Sequence, residues 1–240
     1  MIISTNNKVR INTFTTNAVV TSGSAANVRD VDFSKNMVTS SSDFRIDMGA
    51  ATVRYVGVHG LSLPIGTVVE VRDGATVKDT YTTTRDSRSL VFDLGSAQAF
   101  TDLRVNFNGA GQKIISYIAA GDAVVISWGV NAGKSLSYFA NNQRNRSVVN
   151  QRGLPTSFLT ERISPKLSLV INNELKVFTQ GDLQDIFTHY NLDGVISIRD
   201  YEEENFPDEA CAAFELSSDR VMAHNQTTKL ANIRLNFKVV

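Results

Sequence analysis

Short runs in which apolar and polar residues alternate, or in which β-branched residues cluster, recur along the chain, and helical spacing is almost absent. That is the pattern of a β-sandwich or barrel. In the first half, Phe44 to Met48, Val53 to His59, Thr67 to Arg72, Leu90 to Leu94, Leu103 to Phe107 and Lys113 to Ala119 predict strands. Each is bounded by turn formers, among them Met48-Gly49, His59-Gly60, Asp73-Gly74, Leu94-Gly95 and Asn108-Gly109. Val53 to His59 is apolar on both parities at its centre, so it is expected to be a central strand covered on both faces.

In the second half, Ala123 to Trp128, Ser135 to Phe139, Phe158 to Ile171, Val195 to Arg199, Ala212 to Leu216 and Arg220 to Ala223 predict further strands. The clearest is Leu230 to Val240, where Ile233, Leu235, Phe237 and Val239 alternate with Asn232, Arg234, Asn236 and Lys238. One helix is predicted from Gln180 to Tyr190, capped by the Thr179 hydroxyl, with Leu183, Ile186, Phe187 and Tyr190 on one face and Gly194 past its end.

The fold class is therefore mainly β, a first β-sandwich followed by a second mostly β module with one short helix. The expected organisation is an N-terminal arm over residues 1–15, a first domain over 16–121 and a second over 122–240. The polar stretch Asn141 to Pro155, with Asn141, Gln143, Arg144 and Arg146, is expected to be an extended loop that reaches a neighbour, as is Met1 to Thr16.

Composition narrows the function classes. The 240 residues carry 24 Lys plus Arg and 24 Asp plus Glu, so no overall field draws nucleic acid or an anionic membrane. The single cysteine, Cys211, lies in the apolar run Ala210 to Phe214 and reads as a packed, inert thiol. The opening residues lack a basic start followed by an apolar stretch, and no apolar run approaches the length of a membrane helix, so a soluble chain made in the cytoplasm is expected.

Motifs for chemistry are sparse. Trp128 to Ser135 ends like a phosphate-binding loop, but Trp128 stands where the first glycine must be, and a tight turn over Gly129 to Gly133 is expected instead. His59, His189 and His224 show no metal-ligand spacing, and His189 is expected on the solvent or partner side of the helix. Tyr201-Glu202-Glu203-Glu204 with Asp208 and Glu209 reads as a solvated acidic loop. No Gly-x-Ser-x-Gly elbow or Cys-His pair is present, and no catalytic residue is expected.

The order of elements in the first module resembles the discoidin-type, galactose-binding-like jelly roll. Ser24-Ala25-Ala26-Asn27-Val28-Arg29-Asp30 is similar to that family's opening turn, and Phe44-Arg45-Ile46-Asp47-Met48-Gly49 to its aromatic, hydrophobic, aspartate, glycine strand. The linker Ile115-Ser116-Tyr117-Ile118-Ala119-Ala120-Gly121 and the second module resemble virion proteins of tailed bacteriophages, in which a jelly roll precedes a further β domain. This resemblance implies a tail, baseplate or fibre-attachment role, with other virion proteins and copies of the chain itself as partners, no nucleic acid and no membrane. The alternatives are a carbohydrate-binding module for a host surface glycan and a capsid-decorating protein. The jelly-roll likeness implies a ligand site at the loops of one end, with Asn36, Ser42, Arg85 and Arg88 as candidates. It also implies that Asp30 and Asp32 beside Asn36 could hold a structural Ca2+ ion, with no other cofactor expected. Phe33 and Met37 are weighed as sugar-stacking groups and read as core.

Overall fold

A computed structural model describes residues 2–84, 89–125, 132–136, 143–149, 155–162, 166–175, 181–199, 207, 210–216, 221–225 and 230–239. The first strands are β1 (Ile2–Ser4), β2 (Thr15–Thr16), β3 (Val20–Gly23) and β4 (Met37–Thr39), with a 3-10 turn at Ala25–Arg29. Then come β5 (Asp43–His59), β6 (Val68–Asp73), β7 (Thr76–Thr82), β8 (Ser89–Asn108), β9 (Lys113–Ile115) and β10 (Tyr117–Gly121). The second half holds β11 (Ala123–Val125), β12 (Ala132–Leu136), β13 (Gln143–Val149), β14 (Pro155–Arg162) and β15 (Lys166–Leu175). It closes with α1 (Asp182–Asp193), β16 (Ile196–Arg199), β17 (Ala210–Leu216), β18 (Val221–Asn225) and β19 (Leu230–Val239). The chain is mainly β, with antiparallel sheets and one described α-helix.

Strands β10-β5-β8-β6-β7 form one sheet, with β2 on β5, and β3-β4-β9 form a small second sheet. Between them lies a core that includes Val28, Met37, Phe44, Ile46, Val69, Val105 and Phe107. Phe44 and Phe107 stack with ring centres 4.9 Å apart. Burial alternates along β5: Phe44, Ile46 and Met48 point in, while Arg45 and Asp47 point out.

β5 and β8 are longer than the sequence pattern predicts. Phe44 to Met48 and Val53 to His59 read as two strands with a turn at Gly49, yet they are one strand, as are Leu90 to Leu94 and Leu103 to Phe107. Gly49 (φ 77°) and Gly95 (φ 77°) take left-handed backbone inside these strands. The β5/β8 register shifts at Asp47/Gly49, Gly49/Ala51 and Val53/Tyr55, so the glycines bend the pair through bulges instead of ending it.

The second sheet system runs β11-β1-β16-β17-β19-β15-β12, with β18 also on β19. Here the expected N-terminal arm is corrected: Ile2 and Ile3 are 1% and 2% exposed, and β1 pairs with both β11 and β16. The sequence hides this because three residues are too few to show a period. The expected loop Asn141 to Pro155 is also corrected. Gln143, Arg144 and Arg146 lie on β13, which pairs with β14 as a hairpin, and Asn141 lies outside the described residues. Phe158 to Ile171, read as one strand, is divided between β14 and β15.

α1 begins at Asp182 behind Gly181, with no side-chain cap, and stops at Gly194. Its buried residues are Leu183, Ile186, His189 and Asp193, so His189 faces inward, not toward solvent. The two sheet systems pack through Ile2, Tyr55, Val91, Tyr117, Ala119, Val195, Ala210 and Ala212. Across this seam the Val91 amide donates to the Pro207 carbonyl at 2.8 Å, and the Arg199 guanidinium to the Val91 carbonyl at 3.2 Å.

Gly49→Ala is expected to lower stability by about 1 kcal/mol, the cost of placing a Cβ in left-handed backbone, and Phe107→Ala by about 3–5 kcal/mol. Urea unfolding measures both. A Gly49→Ala protein as stable as the parent would show that the bend does not require that residue.

Candidate binding surface

The outward positions of β5, β8 and β6 form a polar grid because alternation sends their apolar neighbours inward. In one row Arg45, Asn106 and Glu70 stand side by side on the three strands, and in the next Asp47, Arg104 and Arg72. Asp47 accepts a hydrogen bond from Arg45 Nε at 3.1 Å on one oxygen, and its other oxygen forms an ion pair with Arg104, whose Nε lies 2.8 Å away. Arg104 also meets Asp102. Glu70 accepts from Arg72 Nε at 2.9 Å and Asn108 Nδ2 at 3.3 Å.

Each guanidinium is held by a neighbour, and Arg72 also donates from Nη1 to the Ala75 carbonyl at 3.0 Å. The side chains are half-buried, with Arg104 24% and Arg72 25% exposed and Arg45 43%. Asn106, in the middle, has its side-chain oxygen shielded and without a hydrogen-bond partner. Three arginines (Arg45, Arg72, Arg104) face four carboxylates (Asp43, Asp47, Glu70, Asp102), so the surface offers donors and acceptors in near balance.

At the end of the jelly roll where β5 begins and β8 finishes, Lys113 gathers the loops. It is fully buried, and its ammonium donates to the carbonyls of Ser41 at 2.9 Å, Gly111 at 3.3 Å and also Gly109. The Phe44 ring lies 5.8 Å below it. Burial holds the Lys113 ammonium below its usual range. Nothing in the sequence marks this residue, because a lysine on a strand reads as a solvated position.

The chain matches no protein-family profile, and no curated protein sequence matches it. Solved structures that it resembles are fucose-binding modules, lectins and portions of glycoside hydrolases. A fucose-binding module from Streptococcus pneumoniae is 11% identical over 48% of this chain and 94% of its own, with a TM-score of 0.39. A serum fucolectin from the striped bass Morone saxatilis is 10% identical over 98% of this chain and 92% of its own, at 0.40. A Ruminococcus gnavus GH29 fucosidase is 15% identical over 50% of this chain, at 0.40, and the match spans 27% of the fucosidase.

Asn36 and Ser42 flank β4, one before it and one beyond it. The Asn36 carbonyl accepts from Asn27 Nδ2 at 2.9 Å, and the Ser42 carbonyl from the Gly109 amide at 2.8 Å. Arg85 and Arg88 lie outside the described residues. At the expected ion site, Lys35 Nζ stands 2.6 Å from Asp30 and 3.9 Å from Asp32, where a cation would sit. Asp32 also accepts from the Ser34 amide and hydroxyl. The Lys35 hydrogen bond lowers the Asp30 carboxyl from its usual value, and the Ser34 hydroxyl does the same for Asp32. Among the described residues, no group of three or more His, Cys, Asp or Glu side chains converges. Met37 is fully buried, and Phe33 packs against Tyr117 and Phe214, with ring centres 5.8 Å and 6.0 Å away.

Local motifs offer no Ser-His-Asp arrangement, yet the fold assembles one from distant positions. His189 Nδ1 lies 2.7 Å from Asp193 Oδ2, and Nε2 lies 3.1 Å from Ser4 Oγ. Ser4 is 1% exposed, sits on a strand paired on both sides, and accepts the Ser197 amide at 2.9 Å. No acyl group can approach such an oxygen, so this trio ties α1 to β1 and β16. Cys211 is likewise sealed, and burial pushes its thiol up to about 12, far from the thiolate a nucleophile needs.

Lys113→Met, which keeps the stem and removes the donors, is expected to destabilise the protein by about 2–4 kcal/mol by orphaning three carbonyls. Thermal unfolding, with hydrogen exchange of the 40–43 and 109–112 backbone, checks this. A melting temperature unchanged within a degree would show that the loops hold themselves.

Proposed function

We propose that this chain is a non-catalytic binding protein whose jelly roll holds a neutral glycan on the outer face of β5, β8 and β6. One observation carries the reading: the half-buried grid of Arg45, Asp47, Glu70, Arg72, Arg104 and Asn108, in which guanidinium, carboxylate and amide groups fix one another in place. Sugar hydroxyls donate and accept at once, and a surface that offers both in fixed positions matches them without losing the rotamer entropy of free side chains. The near balance of charge disfavours a polyanion, which would meet four carboxylates.

Screening the whole protein against an array of neutral and acidic glycans, followed by calorimetry on any hit, tests this. Arg45→Ala and Asn108→Ala are expected to weaken binding by about tenfold or more each, the loss of one or two hydrogen bonds to a polar ligand, with the melting curve intact. Binding that survives both and is lost on Arg85→Ala would move the site to the loop end. No binding to any glycan would remove the reading.

A second reading, a structural component of a phage tail or baseplate acting through assembly, is favoured by the hairpin. β13 and β14 pair with each other and with no other described strand. A two-stranded hairpin is marginal alone in water, and a neighbouring subunit would complete it. On this reading the full chain self-associates, and deletion of residues 143–162 abolishes association in sedimentation. A monomer at high concentration, with no antibody label on source particles, would count against it.

A further inference from the structure

The seam between the jelly roll and the second sheet system is close-packed around one imidazole. His59, at the end of β5, is fully buried, and its Nε2 lies 2.8 Å from Ser197 Oγ on β16. Gly57 makes room for this contact, since a Cβ there would fall 2.7 Å from His59 Nε2 and 2.9 Å from Ser197 Oγ. The ring stacks on Tyr117 of β10 with centres 6.1 Å apart, and His59 Nδ1 is buried with no hydrogen-bond partner.

The groups arrayed around this seam can be followed element by element. β5 itself gives Tyr55, whose hydroxyl donates to the Asn6 carbonyl at 2.9 Å, and β10 gives Tyr117, which accepts from Asn7 Nδ2 at 3.0 Å. β16 gives Ser197 and, further along, Arg199 beside Val91. β1 gives Ser4, α1 gives His189 and Asp193, and the N-terminal loop gives Arg10, 2.5 Å from Asp193. The carboxylate of Asp193 is thus engaged by His189 and Arg10, at the far side of Ser4. Among the described residues, Ser197 and Tyr117 meet the His59 ring, and both are uncharged.

We propose that His59 is an acid-sensitive latch: its neutral ring closes the seam against Ser197, and its protonation releases the jelly roll from the second sheet system. A protonated ring carries two N–H donors. One of them, at Nδ1, would have no acceptor among the described residues, and none of these places a counter-ion beside the charge. The second buried imidazole, His189, has the Asp193 carboxylate 2.7 Å from its Nδ1.

Burial holds the His59 ring down to about 3, against an ordinary value of 6.5. A depressed histidine stabilises the closed state fully above pH 6.5. The open state binds the proton more readily, so closure weakens as pH falls from 6.5 toward 3. Between pH 6.5 and 4.5 the closed-to-open ratio is expected to drop about 50-fold. The jelly-roll core around Val105 and Phe107 contains no such ring and stays closed.

Residue-resolved hydrogen exchange by NMR on the full chain tests this, with rates corrected for their intrinsic pH dependence. The Val91 amide, bonded across the seam to Pro207, is the reporter, and the Val105 amide inside the jelly-roll sheet is the control. Val91 exchange is expected to rise about 50-fold relative to Val105 over those two pH units. His59→Gln, which cannot take up the proton, is expected to flatten the profile. Equal loss of protection at Val91 and Val105, or the same profile in a folded His59→Gln protein, would overturn the latch. Should His59→Gln not fold, the ring resonances of His59 in the unaltered protein decide. Titration near pH 6.5 with Val91 still protected would overturn it, and a ring neutral until Val91 opens would support it.

Discussion

The structure depends on two strands that are long enough to belong to two surfaces. The first half of β5 and the last half of β8 carry the polar grid, and their other halves, Tyr55 to His59 and Ser89 to Asp93, lie under the second sheet system. What permits this is local: left-handed glycines at Gly49 and Gly95 absorb the change of direction while the ladder hydrogen bonds resume on either side. Two separate hairpins would give the same alternation of apolar residues but would leave face and seam connected by flexible turns.

The seam combines two kinds of contact that constrain each other. Apolar packing of Ile2, Tyr55, Val91 and Ala212 excludes water, and that exclusion makes each polar contact inside it matter more. The chain of contacts from Arg10 through Asp193, His189, Ser4 and Ser197 to His59 crosses helix, N-terminal strand, second sheet system and jelly roll in turn. Removing one partner would leave a buried donor or acceptor unmatched, a cost of about 1–3 kcal/mol. The relay also shows why a set of catalytic residue types is not a mechanism. Serine, histidine and aspartate stand in the right order, and burial denies them a substrate.

Much of the fold is legible in the sequence because a one-sided β-strand writes its burial into alternate positions. The pattern alone places Phe44 to Met48 and Leu103 to Phe107 on strands, and Val53 to His59 declares itself central by being apolar on both faces. β7 escapes that reading because its residues, Thr76 to Thr82, are mostly exposed and polar, so no apolar period marks it. Gly49 and Gly95 read as turns because the sequence signal for a turn and for a bulge is the same residue. The candidate surface is hidden for a different reason. Arg45, Glu70, Arg104 and Asn106 lie up to 61 positions apart and meet only through register, which a single sequence does not display. Residues chosen from loops, such as Asn36 and Ser42, are separated by the strand between them.

The bent strands also bear on how the protein would respond to pulling. A tug on whatever occupies the polar face runs down the backbone of β5 and β8, along the strand direction, to the stretch clamped against the second sheet system. Hydrogen bonds flanking a strand drawn lengthwise are strained together, side by side, whereas those of a peeled hairpin break in succession. A grip of this construction resists being drawn out far better than being unzipped.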